Sequence, residues 1–368
     1  MQNRTAFIYY FLVFLVGFSM SAFCEVRRIS TVREHIEALS NAVSSARDQV
    51  LITTKGVNHD TLAEADLFRV IPAAVARGVR IYIYDYLDEP IAADILEFFK
   101  KNRVIYQQTP THAKILSYDK RFIAIGSCNW LKCVDRRYPE SFYSTTIFTD
   151  HRRVRDLADS LWDQIRNYQH IHIHYEMEGL NSRGYGYPPV SYNIGNGSEL
   201  TYIPTLRAHQ GLIDIMFAAK RRLIIFSNFP SDNLVADFSR KEIGDLLRRG
   251  VQVVFVCSAT APKLNDFEDY LGRLFNWPNL YLFKFPNIHV LSVIVDDDLY
   301  LDGSFNWLSA ARDEDDPYHN HEASLMVTGI RGRILVDDFF NTGIGKVIHP
   351  LLERPSEGHL KYIRQHRE

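Results

Sequence analysis

The stretch His112-Ala-Lys-Ile-Leu-Ser-Tyr-Asp-Lys-Arg-Phe-Ile-Ala-Ile-Gly-Ser-Cys-Asn-Trp130 decides how the rest of the chain is read. Its polar residues fall on a grid: His112, Lys114, Asp119, then Gly126, Ser127 and Asn129, with Trp130 directly after. The same grid returns at His289, Asp296, Gly303, Ser304, Asn306 and Trp307, with Leu291 where the second lysine would stand. A lone histidine or a lone Gly-Ser turn means little. Two copies in register point to a duplicated unit with shared chemistry.

Around each copy the pattern alternates helix and strand. In the first half, helical periodicity over Thr31 to Asp48 precedes an apolar strand, Val50 to Thr54. A second helix over Leu67 to Arg77 ends at Gly78 and feeds the strand Val79 to Tyr84. A third, Ile91 to Lys101, leads to Val104-Ile105-Tyr106 and the motif. Beyond it, Phe122 to Ile125 and Ser141 to Phe148 read as strands and Val154 to Tyr168 as a helix.

The second half repeats the order, with helices at Leu206 to Ala219, Lys241 to Arg249 and Phe267 to Phe275. Its strands fall at Arg222 to Ser227, Val251 to Cys257 and Leu280 to Phe285, and Glu322 to Val327 closes the sheet. Ala76-Arg77-Gly78-Val79 matches Arg248-Arg249-Gly250-Val251, which extends the repeat beyond the motifs. Alternating helices and short apolar strands predict an α/β protein with mixed sheets covered by helices.

His112 and Lys114 are two apart in an extended segment and so share a face, while Gly126 permits a tight turn that presents Ser127 and Asn129. The grid resembles the duplicated His-x-Lys-x4-Asp-x6-Gly-Ser-x-Asn signature of the phospholipase D superfamily, complete in the first copy and short of its lysine in the second. That resemblance implies two similar α/β halves about a pseudo-two-fold axis with one active site between them. It implies cleavage of a phosphodiester through a phosphohistidine, as a hydrolase or a phosphatidyl transferase, with no metal and no cofactor. It also implies roles. His112 is the nucleophile and His289 the general acid, an order that sequence alone leaves exchangeable. Lys114, Ser127, Asn129, Ser304 and Asn306 contact the phosphate oxygens, and Glu140 and Glu322 hold the far nitrogens of the two imidazoles. Asp119 and Asp296 support the fold near the interface between halves.

Leu291 cannot contact an anion, and losing one preorganised electrostatic donor costs roughly 10²–10³ in rate. Either another cation such as Lys284 fills the gap, or the site is slow, specialised or inactive. Trp130 and Trp307 read as core residues, with base stacking the alternative.

Composition bounds the substrate. At 368 residues and 46% hydrophobic content the chain folds with a sizeable core, and its formal charge of −2 gives no overall attraction to polyanions. A phospholipid headgroup is the expected substrate, with a possible membrane-surface contact; DNA or RNA is the alternative, and a catalytically impaired phosphate-binding or effector module the third reading. Oligomeric state is not legible. Residues 1–24 carry Arg4 and an uncharged run from Ala6 to Cys24, the layout of a signal peptide, or of an uncleaved anchor. This leads to an expectation of a secreted or periplasmic protein, anchored if the leader is uncleaved.

Past the leader, residues 25–174 form the first half, 175–198 a linker or surface loop, and 199–368 the second half. Cys128, Cys133 and Cys257 allow at most one disulfide, and Cys128 reads as a buried small hydrophobe. His170, His172 and His174 alternate with isoleucine as one face of a strand would, without a ligand set for a metal.

Overall fold

The computed structural model describes residues 25–353 apart from 88–89, 135–140, 150–151, 179–187, 231–239, 275–276, 287 and 310–320. Among the described residues, fifteen strands are distributed over two sheets. In the first half they are β1 (Glu25–Ile29), β2 (Gln49–Thr54), β3 (Arg80–Tyr86), β4 (Ile105–Thr109), β5 (Ile115–Tyr118), β6 (Phe122–Gly126) and β7 (Thr145–Thr149). In the second they are β8 (Val190–Gly195), β9 (Ser198–Ile203), β10 (Arg222–Phe226), β11 (Gln252–Ser258), β12 (Leu280–Phe285), β13 (Ser292–Val295), β14 (Leu299–Gly303) and β15 (Ser324–Thr328).

The first sheet runs β4-β3-β2-β5-β6-β7-β1 and the second β12-β11-β10-β13-β14-β15-β9-β8. Pairing repeats strand for strand. β2, β3 and β4 are parallel, as are β10, β11 and β12, and every other pair is antiparallel. The parallel strands are joined by helices, as crossover connections require. Both halves are therefore mixed sheets flanked by helices, and β8 is an addition at one edge.

Period-two alternation sets the layers. On β2, Leu51 faces a central core shared with the second half, while Val50 and Ile52 face the helices of the first half. On β10, Ile224 and Phe226 enter the same central core, while Leu223 and Ile225 face outward to their own helices. Three apolar layers result, and the middle one joins the two sheets. Burial at roughly 25 cal/mol per Å² makes that middle layer the main tie between halves.

The motif aspartates anchor each sheet locally. Asp119 and Asp296 sit at positive φ (50° and 53°), a conformation Asp tolerates in turns. Asp119 accepts the amides of Arg47, Asp48 and Gln49 at 2.8, 2.8 and 3.0 Å, and Asp296 those of Lys220, Arg221 and Arg222 at 3.0, 2.7 and 3.1 Å. Each bonds within its own half, just before β2 or β10, rather than near the interface between halves.

Several sequence expectations change. β1 carries no sequence expectation and β9 falls at the linker's end, yet they form matching edges, so β15 does not close its sheet. Residues 170–174 are helical, part of one helix Arg153–Glu178, because no Gly or Pro interrupts the helix that begins before them. The expected linker 175–198 contains the end of that helix and all of β8. Leu206 to Ala219 is two short helices, Leu206–Gln210 and Ile213–Phe217. The leader lies outside the described residues, and no helix among the described residues is long and apolar enough to cross a membrane. Cys128, Cys133 and Cys257 are buried free thiols.

Candidate active site

Both Gly-Ser turns are fixed by a close approach of backbones. Gly126 pairs with Thr145 and Gly303 with Ser324; a Cβ on Gly126 would collide with the Ser144 carbonyl, and one on Gly303 with Ser324. Only glycine fits either place. The serines that follow tie the turn to the next strand. Ser127 N–H donates to the Ser144 carbonyl at 2.8 Å and the Ser127 hydroxyl accepts from Ser144 N–H at 3.0 Å; Ser304 does the same with Ala323, at 3.0 and 3.0 Å. Both serines are fully buried and committed to the backbone, and Ser304 Oγ also donates to Glu322. They shape the turns, in contrast to the expected contact with phosphate.

Backbone bonds then cross between halves. His112 N–H donates to the His321 carbonyl at 2.9 Å, and His289 N–H donates to the Phe142 carbonyl at 2.8 Å. Each motif histidine is thus docked on the strand entry of the opposite half, which brings His112 and His289 to one cavity of about 530 Å³. Asn129 and Asn306 line it too, as do Lys55 and Lys132 from the first half and Asn228, Ser258 and Thr260 from the second. No acidic side chain lines it among the described residues.

The side chains around the two histidines differ. His112 Nδ1 lies 2.9 Å from Glu322 Oε1, and His112 Nε2 lies 3.0 Å from Lys114 Nζ. Lys114 also donates to the His112 carbonyl at 2.7 Å and is fully buried. Burial, then the Lys114 ammonium, outweigh the pull of Glu322 and hold the His112 imidazole below its ordinary range. Burial pushes the Glu322 carboxyl up, but His112, Lys114 and Ser304 more than offset this and keep it low. Neutral imidazole beside carboxylate fixes the tautomer: Nδ1–H donates to Glu322, and the Nε2 lone pair accepts from the Lys114 ammonium in the empty site. Lys114 is lowered to about 7, chiefly by burial.

At His289, burial, then Lys114, then His112 lower the imidazole to about 3. Its Nδ1 is buried without a hydrogen-bond partner among the described residues. Register explains the difference. Since Gly126 and Gly303 pair with Thr145 and Ser324, counting back two residues sets Tyr143 where the other half has Glu322. Tyr143 puts its ring 5.7 Å from that of His289 and donates its hydroxyl to the Cys133 carbonyl at 3.3 Å. Glu140 lies outside the described residues.

The remaining candidates fall into place around this pair. Leu291 is fully buried. Lys284 pairs with Glu268 and does not line the cavity, so it does not fill the gap that Leu291 leaves. Trp130 and Trp307 are buried against His35 and His209, which makes them core residues. Burial, with the neighbouring Cys133 thiol, raises the Cys128 thiol well above its ordinary value, so it has no thiolate character. Among the described residues no cluster of three or more His, Cys, Asp or Glu is arranged to hold a metal.

Sequence reading passed over one supporting repeat. Thr31-Val32-Arg33-Glu34-His35 and Thr205-Leu206-Arg207-Ala208-His209 share a spacing, and both histidines are fully buried. His35 Nδ1 meets the Thr31 carbonyl at 2.7 Å and Nε2 meets Thr145 Oγ1 at 2.8 Å; His209 meets the Thr205 carbonyl at 2.6 Å and Ser324 Oγ at 2.8 Å. Each pins the residue that packs on a motif glycine. The paired Thr-x-Arg-x-His spacing was the available signal.

No family model and no curated protein matches this sequence. Solved structures do. Phosphatidylserine synthase from Haemophilus influenzae aligns with a TM-score of 0.61 at 12% identity over 85% of this chain and 84% of its own. Nuc, a phospholipase D family member from Salmonella typhimurium, aligns with a TM-score of 0.32 at 14% identity over 39% of this chain and 93% of its own. At such identities the likeness speaks for fold. Two like halves, each a mixed sheet flanked by helices, make up the fold this chain shares with the synthase.

Proposed function

We propose that the protein is a phosphodiesterase of phospholipase D type, exported by its leader, that cleaves a phospholipid headgroup diester with His112 as nucleophile. The observation that carries this is the triad at His112: Glu322 on Nδ1 at 2.9 Å, Lys114 beside Nε2 at 3.0 Å, and His289 across the same cavity.

A neutral imidazole held by a carboxylate is a competent nucleophile toward phosphorus. Nε2 of His112 attacks, the bond from phosphorus to the leaving oxygen breaks, and a phosphohistidine forms. Glu322 stabilises the positive charge that develops on the ring. Lys114 and the amides of Asn129 and Asn306 take the charge on the non-bridging oxygens. His289 supplies the proton to the departing oxygen and then takes one from the water that attacks phosphorus, which returns His112 free. In the empty site His289 is neutral; the arriving phosphate monoanion favours its protonated form by direct attraction and by offsetting the nearby Lys114.

Net charge of −2 supports a lipid headgroup over a polynucleotide. A second reading, a slow enzyme or phosphate-binding module, has the pairing of Leu291 with Tyr143 in its favour, since both changes strip the same side. The deciding assay follows headgroup release from a labelled phospholipid and cleavage of single-stranded DNA in parallel, with EDTA, for wild type and His112→Ala. Lipid turnover by wild type that falls at least ~10³-fold in His112→Ala is expected. DNA cleavage alone moves the chain to the nuclease branch, and silence on both favours the binding module.

A further inference from the structure

The positive charge in the cavity is distributed one-sidedly. Lys55 and Lys132 line the cavity and Lys114 is fully buried against His112 Nε2; all three come from the first half, and the second half contributes only neutral groups to the lining among the described residues. The backbone shows that this is a substitution at one register position. Asp119 N–H bonds the Gln49 carbonyl and Asp296 N–H bonds the Arg222 carbonyl, so Gln49 matches Arg222 and, six residues on, Lys55 matches Asn228. Lys55 directly follows β2, Asn228 lies two residues past the end of β10, and both line the cavity.

Lys55 is therefore an added cation with no equivalent across the site. It is half-buried, and its ammonium lies 5.0 Å from the centre of the Tyr86 ring, a contact an anion can share. No ion pair to Lys55 occurs among the described residues. Burial first, and then neighbouring charges that include Lys55, hold His112 and Lys114 below their ordinary values, so these groups repel one another while the cavity is empty. A phosphodiester carries a single negative charge, which Lys114 and the two asparagines already meet.

We infer that Lys55 forms a second anion subsite beside His112, and that the substrate is a phosphodiester bearing a further phosphate or carboxylate close to the scissile phosphate. This deepens the proposed function and rests on it for the identity of the first phosphate position. The subsite also explains why losing a cation at Leu291 need not empty the cavity of positive charge: the added lysine lies on the nucleophile's side, where it holds a second group rather than the departing oxygen.

Binding tests this without turnover. Calorimetry with orthophosphate and with methylenediphosphonate, which cannot be hydrolysed, gives a ratio of dissociation constants for each protein. Wild type is expected to prefer the diphosphonate by roughly tenfold or more, as one added charge-assisted contact implies. Lys55→Gln should bring the ratio close to one and Lys55→Arg should restore most of it, while Lys284→Gln, off the cavity, should leave it as in wild type. A wild-type ratio near one, or a ratio unmoved by Lys55→Gln, overturns the subsite. A Lys55-dependent ratio in a protein that turns over no diester counts against the reaction and leaves the subsite standing.

Discussion

At His112 the ring donates to a carboxylate, Glu322, and shares its other nitrogen with an ammonium, Lys114; at His289 the register positions hold Tyr143 and Leu291. The backbones of the two places are nearly interchangeable. Each histidine N–H bonds a carbonyl of the opposite half, each glycine abuts the next strand, and each serine closes the same pair of bonds. Duplication kept the scaffold and let the charges diverge. A nucleophile must be held neutral in one tautomer, which the carboxylate secures, and its Nε2 lone pair becomes free to attack when Lys114 turns to the incoming phosphate. A proton donor needs only reach and the right charge state once substrate is bound, so it tolerates the loss more readily.

The comparison breaks first at the carboxylates. Glu322→Gln is expected to lower kcat by about 10²–10³, because a buried charge-assisted bond to the nucleophile is lost, whereas Tyr143→Phe changes kcat by about threefold or less. Steady-state kinetics on one diester checks both. Equal losses would mean that Tyr143 serves His289 as Glu322 serves His112.

His289 sharpens the division of labour. His289→Ala should cost about 10²–10⁴ in kcat/KM on a diester with an alkyl leaving group, and tenfold or less in kcat/KM on a 4-nitrophenyl ester, whose oxygen departs without a proton; kcat on that ester still falls, because His289 also activates the water. A loss independent of leaving group would contradict the acid role.

Leu291→Lys restores the missing ammonium at the position in register with Lys114. About a tenfold rise in kcat/KM is expected, less than the full value of one donor because Lys114 and Lys55 already repel a third charge. A fall in activity without a fall in stability would show that Leu291 is required as it stands.

Acidity provides the next test. His112 must be neutral and lies below its ordinary value, while Lys114 must be charged and titrates at about 7. On a 4-nitrophenyl ester, which needs no proton from His289, kcat/KM should therefore rise through the lowered His112 value, plateau on the acid side of neutrality and fall as pH passes about 7. Lys114→Arg should remove the falling limb, since arginine stays charged.

The smallest effect is one of stability. Asp302 is buried where the two sheets meet, accepting from Ser144 and Ser292 at 2.9 Å each, and burial raises it to about 7 against an ordinary 3.8. The folded protein holds this proton more tightly than the unfolded chain. Its contribution is complete below pH 3.8 and is lost as pH rises through about 7. Thermal melts of Asp302→Asn should lack that decline and match wild type most closely at low pH.

Much of this was legible in the sequence because the spacing constrains backbone. Gly126 and Gly303, Asp119 and Asp296, and the helix–strand order all sit where the repeat places them. What was not legible turned on register and context. Glu140 lies outside the described residues; that Tyr143 stands in register with Glu322 follows from the Gly126–Thr145 pair, and only the strand pairing shows it. The alternating His170 to His174 run imitates a strand locally, yet it continues a helix already under way. Lys55 lies far from either motif in sequence and reaches the cavity only because β2 lies beside β5.

The central claim, that His112 alone is the nucleophile, is tested most directly by quenching a single turnover in alkaline denaturant, with a diester labelled with ³²P in the phosphoryl group that the enzyme retains, then mapping the label by peptide mass at alkaline pH. Acid-labile, base-stable phosphate on the peptide containing His112, absent from His112→Ala and accumulating in His289→Ala with the 4-nitrophenyl ester, is the expected result. Label on the His289 peptide, or turnover with no phosphoenzyme at any time, would contradict it.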